Sequence, residues 1–170
     1  MLAHLTTPFL VSRPAMGLRF LRHRGISSAM DATARSLARR SPRELLDVLE
    51  QNAASSFAPP GVGLVAPLTD LVAHGVDIRW PLGDPHEDWA DPQRLHPSLD
   101  FLLGRRATLG FLPASRPAGL RLVASDQDWA QGTGQEVRGT SLALVLGLLG
   151  RRPALDDLSG DGVAVLAGRL

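Results

Sequence analysis

Helical periodicity, cut repeatedly by proline, fills about the first 106 residues of this 170-residue chain and then stops. Residues 26–40 (ISSAMDATARSLARR) place Ile26, Met30, Ala34 and Leu37 on one stripe of a helix. Ser41-Pro42-Arg43-Glu44 follows as a capping box with proline at the first helical position. It predicts a helix carrying Leu45, Leu46, Val48 and Leu49 and ending near Asn52. A Pro/Gly-rich loop runs from Phe57 to Gly63, and Pro67 to Trp80 then reads as a helix with Leu68, Leu71, Val72 and Val76 inward. Pro81, Gly83 and Pro85 end it, and Asp91-Pro92 opens the next, running to about Arg106 with Leu95, Leu99, Leu102 and Leu103 inward. Residues 1–12 read as a helix already under way, which Pro14 interrupts.

Past residue 109 the texture changes. Pro113, Pro117 and Gly119 mark a loop, Leu120 to Ala124 has strand character, and Trp129 and Glu136-Val137-Arg138 look like further strand pieces. Gly132-Thr133-Gly134 reads as a hairpin turn; its spacing to Gly139 does not fit a phosphate-cradling loop. Thr140 to Leu149 is an apolar helix ended by Pro153, and a short helix closes the chain. The expectation is an α+β protein, helical first and mixed afterwards.

Composition narrows the chemistry. With no cysteine, disulfides, iron–sulfur clusters, thiolate zinc and a cysteine nucleophile are excluded, which fits a reducing cytoplasm. All basic residues are arginine, and residues 1–43 hold eight of them against the single acid Asp31, a net +7. Such charge could meet a nucleic acid, a membrane surface or the acidic remainder of the fold, but no aromatic-rich stripe accompanies it, and it reads as a solvated helix face. Residues 1–30 carry arginines and no acid, as transit peptides do, but the opening segment lacks the basic start and cleavage site of a secretory signal. The longest apolar run, Leu142 to Gly150, is too short to span a bilayer. The expectation is no nucleic-acid partner and no membrane partner.

The histidines are where chemistry is to be sought. Asp70 and His74, four residues apart on one helix, share a face on which a carboxylate and an imidazole can chelate one cation. A third ligand has to come from another helix, and His4 in the apolar opening segment is a candidate. Two histidines and one carboxylate are the ligand set of catalytic zinc and non-haem iron. The bland alternatives stand beside this: Asp70 as an acid favoured by a helix amino end, His74 as a core histidine bonded to a carbonyl. His86 and His96 read as solvated, and His23, among Arg19, Arg22 and Arg24, as surface.

These residues also carry a resemblance. Leu68-Thr69-Asp70-Leu71-Val72-Ala73-His74-Gly75-Val76-Asp77-Ile78-Arg79, then Trp80-Pro81-Leu82-Gly83, resembles the mycothiol-dependent maleylpyruvate isomerase family of actinobacteria. The tail is similar to that family's second domain in Leu120-Arg121-Leu122 to Asp128-Trp129, Gly134-Gln135-Glu136-Val137-Arg138-Gly139, Leu148-Leu149-Gly150-Arg151 and Leu158-Ser159-Gly160-Asp161-Gly162. The resemblance implies a DinB-like metal-binding bundle over 1–109 and a small sterol-carrier-like α+β domain over 110–170. It implies a divalent metal, zinc foremost, held by His4, Asp70 and His74, with Asp70 where the family has glutamate. It implies mycothiol as thiol cofactor, a small electrophilic substrate, an isomerase or S-transferase reaction, and Arg151 as the catalytic arginine holding a substrate carboxylate. The alternative it leaves is a non-catalytic ligand-binding or regulatory member of the same fold. Family members carry a helix ahead of the Ala3-His4-Leu5 segment; without it the bundle is expected to expose an apolar groove and self-associate.

Overall fold

The structure, a computed structural model, describes residues 1–59, 61–83 and 90–170. It is α+β, with helices predominating over one small sheet. The chain divides into two compact units, Met1–Phe57 and Ala58–Leu170.

The first unit is helical: α1 (Leu2–Leu5), α2 (Thr7–Leu10), α3 (Arg13–His23), α4 (Ile26–Leu37) and α5 (Pro42–Gln51). The buried hydroxyls of Thr6 and Thr7 both donate to the Ala3 carbonyl, at 3.2 and 3.0 Å, where α1 gives way to α2. Pro14 does not interrupt a helix but helps to start one. The Ser12 hydroxyl caps α3 by accepting from the Ala15 amide, and a proline in the first turn loses no helical hydrogen bond. Arg24, with φ of 54°, closes it in the left-handed region.

α4 packs against α1, α2 and α3. Its buried residues are Ala29 and Thr33, one step from the expected stripe, and Ile26 is 43% exposed. Small side chains at the contact let the helices approach, which a hydrophobic stripe alone does not reveal. The capping box of α5 forms as expected: the Ser41 hydroxyl accepts from the Glu44 amide at 3.2 Å and the Glu44 carboxylate accepts from the Ser41 amide at 3.0 Å.

The second unit contains α6 (Val65–Arg79), α7 (Pro92–Leu103), β1 (Leu120–Ala124), β2 (Ala130–Gly132), β3 (Gln135–Gly139), α8 (Ser141–Leu148) and α9 (Gly162–Ala167). Tight 3-10 turns lie at Trp80–Leu82, Arg105–Leu109 and Arg152–Asp157. Every residue of α8 is buried. A helix apolar on all sides has to lie inside a core, and α8 packs on α6, α7, β1 and β3. Leu95, Leu99 and Leu102 of α7 join Leu120, Leu122 and Val137 of the sheet in that same core. This shared interior explains why the compact units divide at 57/58, whereas sequence texture suggested a boundary at 109/110: α6 and α7 fold with the strands.

The sheet order is β2-β1-β3, with β1–β2 antiparallel and β1–β3 parallel. Gly132-Thr133-Gly134 is therefore not a hairpin turn. It carries the chain from one side of β1 to the other across the start of that strand. Gly132 and Gly134 have φ of 86° and 127°, and a Cβ on either would overlap the carbonyl oxygen of Leu120 or Gly119.

Candidate metal centre

Along α6 the residues Ala66, Thr69, Val72, Ala73 and Val76 are buried. Leu71, expected inward, is instead 54% exposed. Asp70, His74 and Asp77 follow one another at i, i+4 and i+7, so they form a single polar stripe at the edge of the buried face. Asp77 lies near the carboxyl end of the helix, where the macrodipole disfavours an acid. It needs cationic partners, and it has two.

The first is His74. Its Nδ1 stands 3.0 Å from Asp77 Oδ2, and its Nε2 stands 3.5 Å from Asp70 Oδ1. An ionised carboxylate only accepts, so a ring nitrogen that carries a proton donates it to the aspartate beside it, Nδ1 to Asp77 and Nε2 to Asp70. The Asp77 contact is the shorter, and a neutral ring that keeps its proton there presents the Nε2 electron pair on the Asp70 side. The second partner is Arg151, whose Nε and Nη2 donate to Asp77 Oδ1 and Oδ2 at 3.1 and 2.6 Å, while Nη1 donates to the Leu149 carbonyl at 3.0 Å.

Arg151 is placed by the end of α8. The Gly150 amide donates to the Gly147 carbonyl and the Arg151 amide to the Leu146 carbonyl, with Gly150 at φ of 86°. That is a Schellman termination, and it turns the side chain after the glycine toward α6. All four side chains are partly sheltered: relative exposures are 19% for His74, 21% for Asp77, 23% for Arg151 and 34% for Asp70.

The electrostatics follow. The Asp70 hydrogen bond raises the His74 pKa above its ordinary value; burial opposes this, and the charges of Asp70 and Asp77 add to the rise. Burial would lift the Asp77 carboxyl, but the Arg151 fork and His74 together hold it below the usual carboxylate range.

Of the residues selected from sequence, Asp70, His74 and Arg151 thus belong to one chain of contacts within the second unit, and Asp77 links them. His4 lies on α1 of the first unit, partly buried. His96 is not simply solvated. Its Nδ1 lies 3.0 Å from Gln127 Oε1, and the Gln127 amide donates to the Pro92 carbonyl and the Ser141 hydroxyl, tying α7 to the β1–β2 loop and α8. His23 ends α3, and His86 and Pro85 lie outside the described residues. Asp77 was missed because nothing in its local sequence announces a partner 74 residues away. An acid near a helix carboxyl end was the available signal. A shallow cleft of about 360 Å³ lined by Leu68, Leu71, Val72, Gly75, Arg79, Arg94 and Leu95 occupies the opposite side of α6, away from the polar stripe.

Comparison with known protein families, with curated proteins and with solved structures finds no match to this chain.

Proposed function

We propose that the protein is a metal-dependent, mycothiol-using isomerase or S-transferase acting on a small electrophilic substrate, with a DinB-like bundle preceding a sterol-carrier-like domain. The observation that carries this reading is the place of His74 between two carboxylates: with Nδ1 donating to Asp77, a neutral ring offers Nε2 as the coordinating atom beside Asp70. Metal-ligating histidines characteristically hold such a carboxylate on the far nitrogen, which orients the ring and raises its basicity. Asp70 and His74 are ligands in this reading, and the resemblance adds His4 as the third. Two imidazoles and a carboxylate suit zinc or a similar divalent ion and leave coordination positions open. A bound cation of this kind supplies a positive centre that makes a coordinated thiol far more acidic than a free one.

The remaining residues have defined tasks. Asp77 keeps the His74 proton on Nδ1. Arg151 keeps Asp77 ionised and aimed, so in this reading it positions the imidazole through Asp77, and the substrate-binding role drawn from the resemblance would require it to leave that carboxylate. Asp70 partly offsets the charge of the ion. Its side chain is one methylene shorter than the glutamate of the resemblance, which favours a second reading, a non-catalytic ligand-binding protein of the same fold.

Elemental analysis of the purified chain beside His4→Ala and His74→Ala tests the ligand set. About one equivalent of metal is expected in the wild type, with loss in both variants. A metal-free wild type, or metal retained in His74→Ala, overturns it. Incubation with mycothiol and a panel of electrophiles, read by mass spectrometry for isomer or S-conjugate, separates the enzyme from the binding protein.

A further inference from the structure

We propose that α3 is a docking surface for an anionic lipid bilayer. The inference stands on the first unit alone, is independent of the metal reading, and replaces the expectation of no membrane partner, which rested on the lack of a spanning or signal segment.

The helix has apolar side chains on two opposite faces. Met16 and Phe20 are partly buried on the side that packs against α4, where the Arg19 guanidinium donates to the Thr33 hydroxyl at 3.2 Å. Pro14, Leu18 and Leu21, at i, i+4 and i+7, point the other way. Leu18 is 67% and Leu21 80% exposed. Arg13 borders this stripe on one side and Arg22 on the other, and Arg24 caps the helix; all three are exposed. The first acid in the chain is Asp31, which is already paired with Arg35 at 2.9 Å.

Leucines standing in water between arginines are the reverse of an ordinary surface helix. They are what a helix lying in a membrane interface presents: the leucines enter the acyl boundary, the guanidinium groups meet lipid phosphates, and the arginine stems cover the rim. A nucleic acid would engage the arginines but gain nothing from leucine at the centre of its contact, and the outward face offers no aromatic ring for base stacking. A second copy of the chain packed face to face would set arginine against arginine. No described helix is long and apolar enough to cross a membrane, and a surface-lying helix needs no spanning segment.

Sedimentation of the full chain with vesicles tests the proposal. Binding is expected to vesicles of phosphatidylcholine containing phosphatidylglycerol and not to phosphatidylcholine alone, weakening as salt rises. Leu18→Ser/Leu21→Ser leaves the charge unchanged and is expected to weaken binding by roughly tenfold or more. Arg13→Gln and Arg22→Gln are each expected to weaken it about fivefold. These side chains are exposed, and circular dichroism identical to wild type verifies each variant. Absence of binding overturns the proposal, as does equal binding to neutral vesicles. Binding unaffected by the leucine changes, or a concentration-dependent dimer abolished by them, also overturns it.

Discussion

The Arg151 guanidinium grips both oxygens of Asp77, at 3.1 and 2.6 Å, across 74 residues of sequence. The contact joins the carboxyl end of α8 to the carboxyl end of α6, two helix termini whose dipoles both favour a cation. It passes on to His74 through the second Asp77 oxygen, so the geometry of one imidazole depends on a glycine turn after another helix.

Removing one partner of such a sheltered pair leaves the other charge uncompensated. Arg151→Gln is expected to destabilise the second unit by about 1–3 kcal/mol. Asp77→Asn leaves the Arg151 guanidinium without its counter-ion and is expected to cost a similar amount. Urea unfolding of both variants and the double variant gives the coupling directly, and additive costs would show that the fork contributes nothing of its own.

Asp77 contacts the proposed ligand His74 directly, so it acts on metal binding through that ring. Asp77→Asn, which keeps the shape and loses the charge, is expected to weaken zinc affinity by roughly 10–100-fold. Competition against a chromophoric chelator measures this. An affinity equal to wild type would mean that the imidazole is oriented by something else.

The parts of this architecture that rest on neighbours in sequence were legible there: the Ser41–Glu44 box, the Asp91 cap whose carboxylate accepts from the Gln93 amide at 2.8 Å, the β1 strand, and the Asp70–His74 spacing. What depends on distant partners was not. Pro14 reads as a break while residues 1–12 are taken as one helix, yet Ser12 caps α3 and the proline falls in its first turn. Leu71 fits an inward period but lies on the wrong side of a helix whose contact face is built from Ala66, Ala73 and Val76. The Gly132–Gly134 segment has hairpin composition, and only the parallel pairing of β3 with β1 shows that it crosses over.

The raised His74 pKa gives a pH dependence of definite sign. The imidazolium is stabilised between Asp70 and Asp77. Its contribution to the stability of the metal-free protein is therefore fully present below the unfolded-state pKa of about 6.5 and is lost as pH rises through the higher folded value. At the acid end Asp77 acts oppositely: its lowered pKa contributes stability above the ordinary carboxylate value, lost as pH falls through the folded value. His74→Gln should thus be most destabilising, relative to wild type, near pH 6, with the gap closing toward alkaline pH. Denaturation midpoints across that range, with chelator present, provide the measurement. A gap that widens with pH would contradict the assignment.

Steric overlap and left-handed strain can be told apart in the strand crossover. Gly119 and Gly134 both have positive φ, of 69° and 127°, but a Cβ on Gly119 would meet nothing within 4 Å while one on Gly134 would overlap the Gly119 carbonyl oxygen. Gly119→Ala carries only the conformational penalty of a left-handed residue, about 1 kcal/mol. Gly134→Ala adds a backbone collision that cannot relax without separating β3 from the start of β1, where the Gln135 amide donates to the Gly119 carbonyl at 3.2 Å. It is expected to cost roughly 3 kcal/mol or more and to expose the β1–β3 amides to hydrogen exchange. Urea midpoints for the two variants decide the matter, since equal losses would mean that the crossover is looser than this geometry requires.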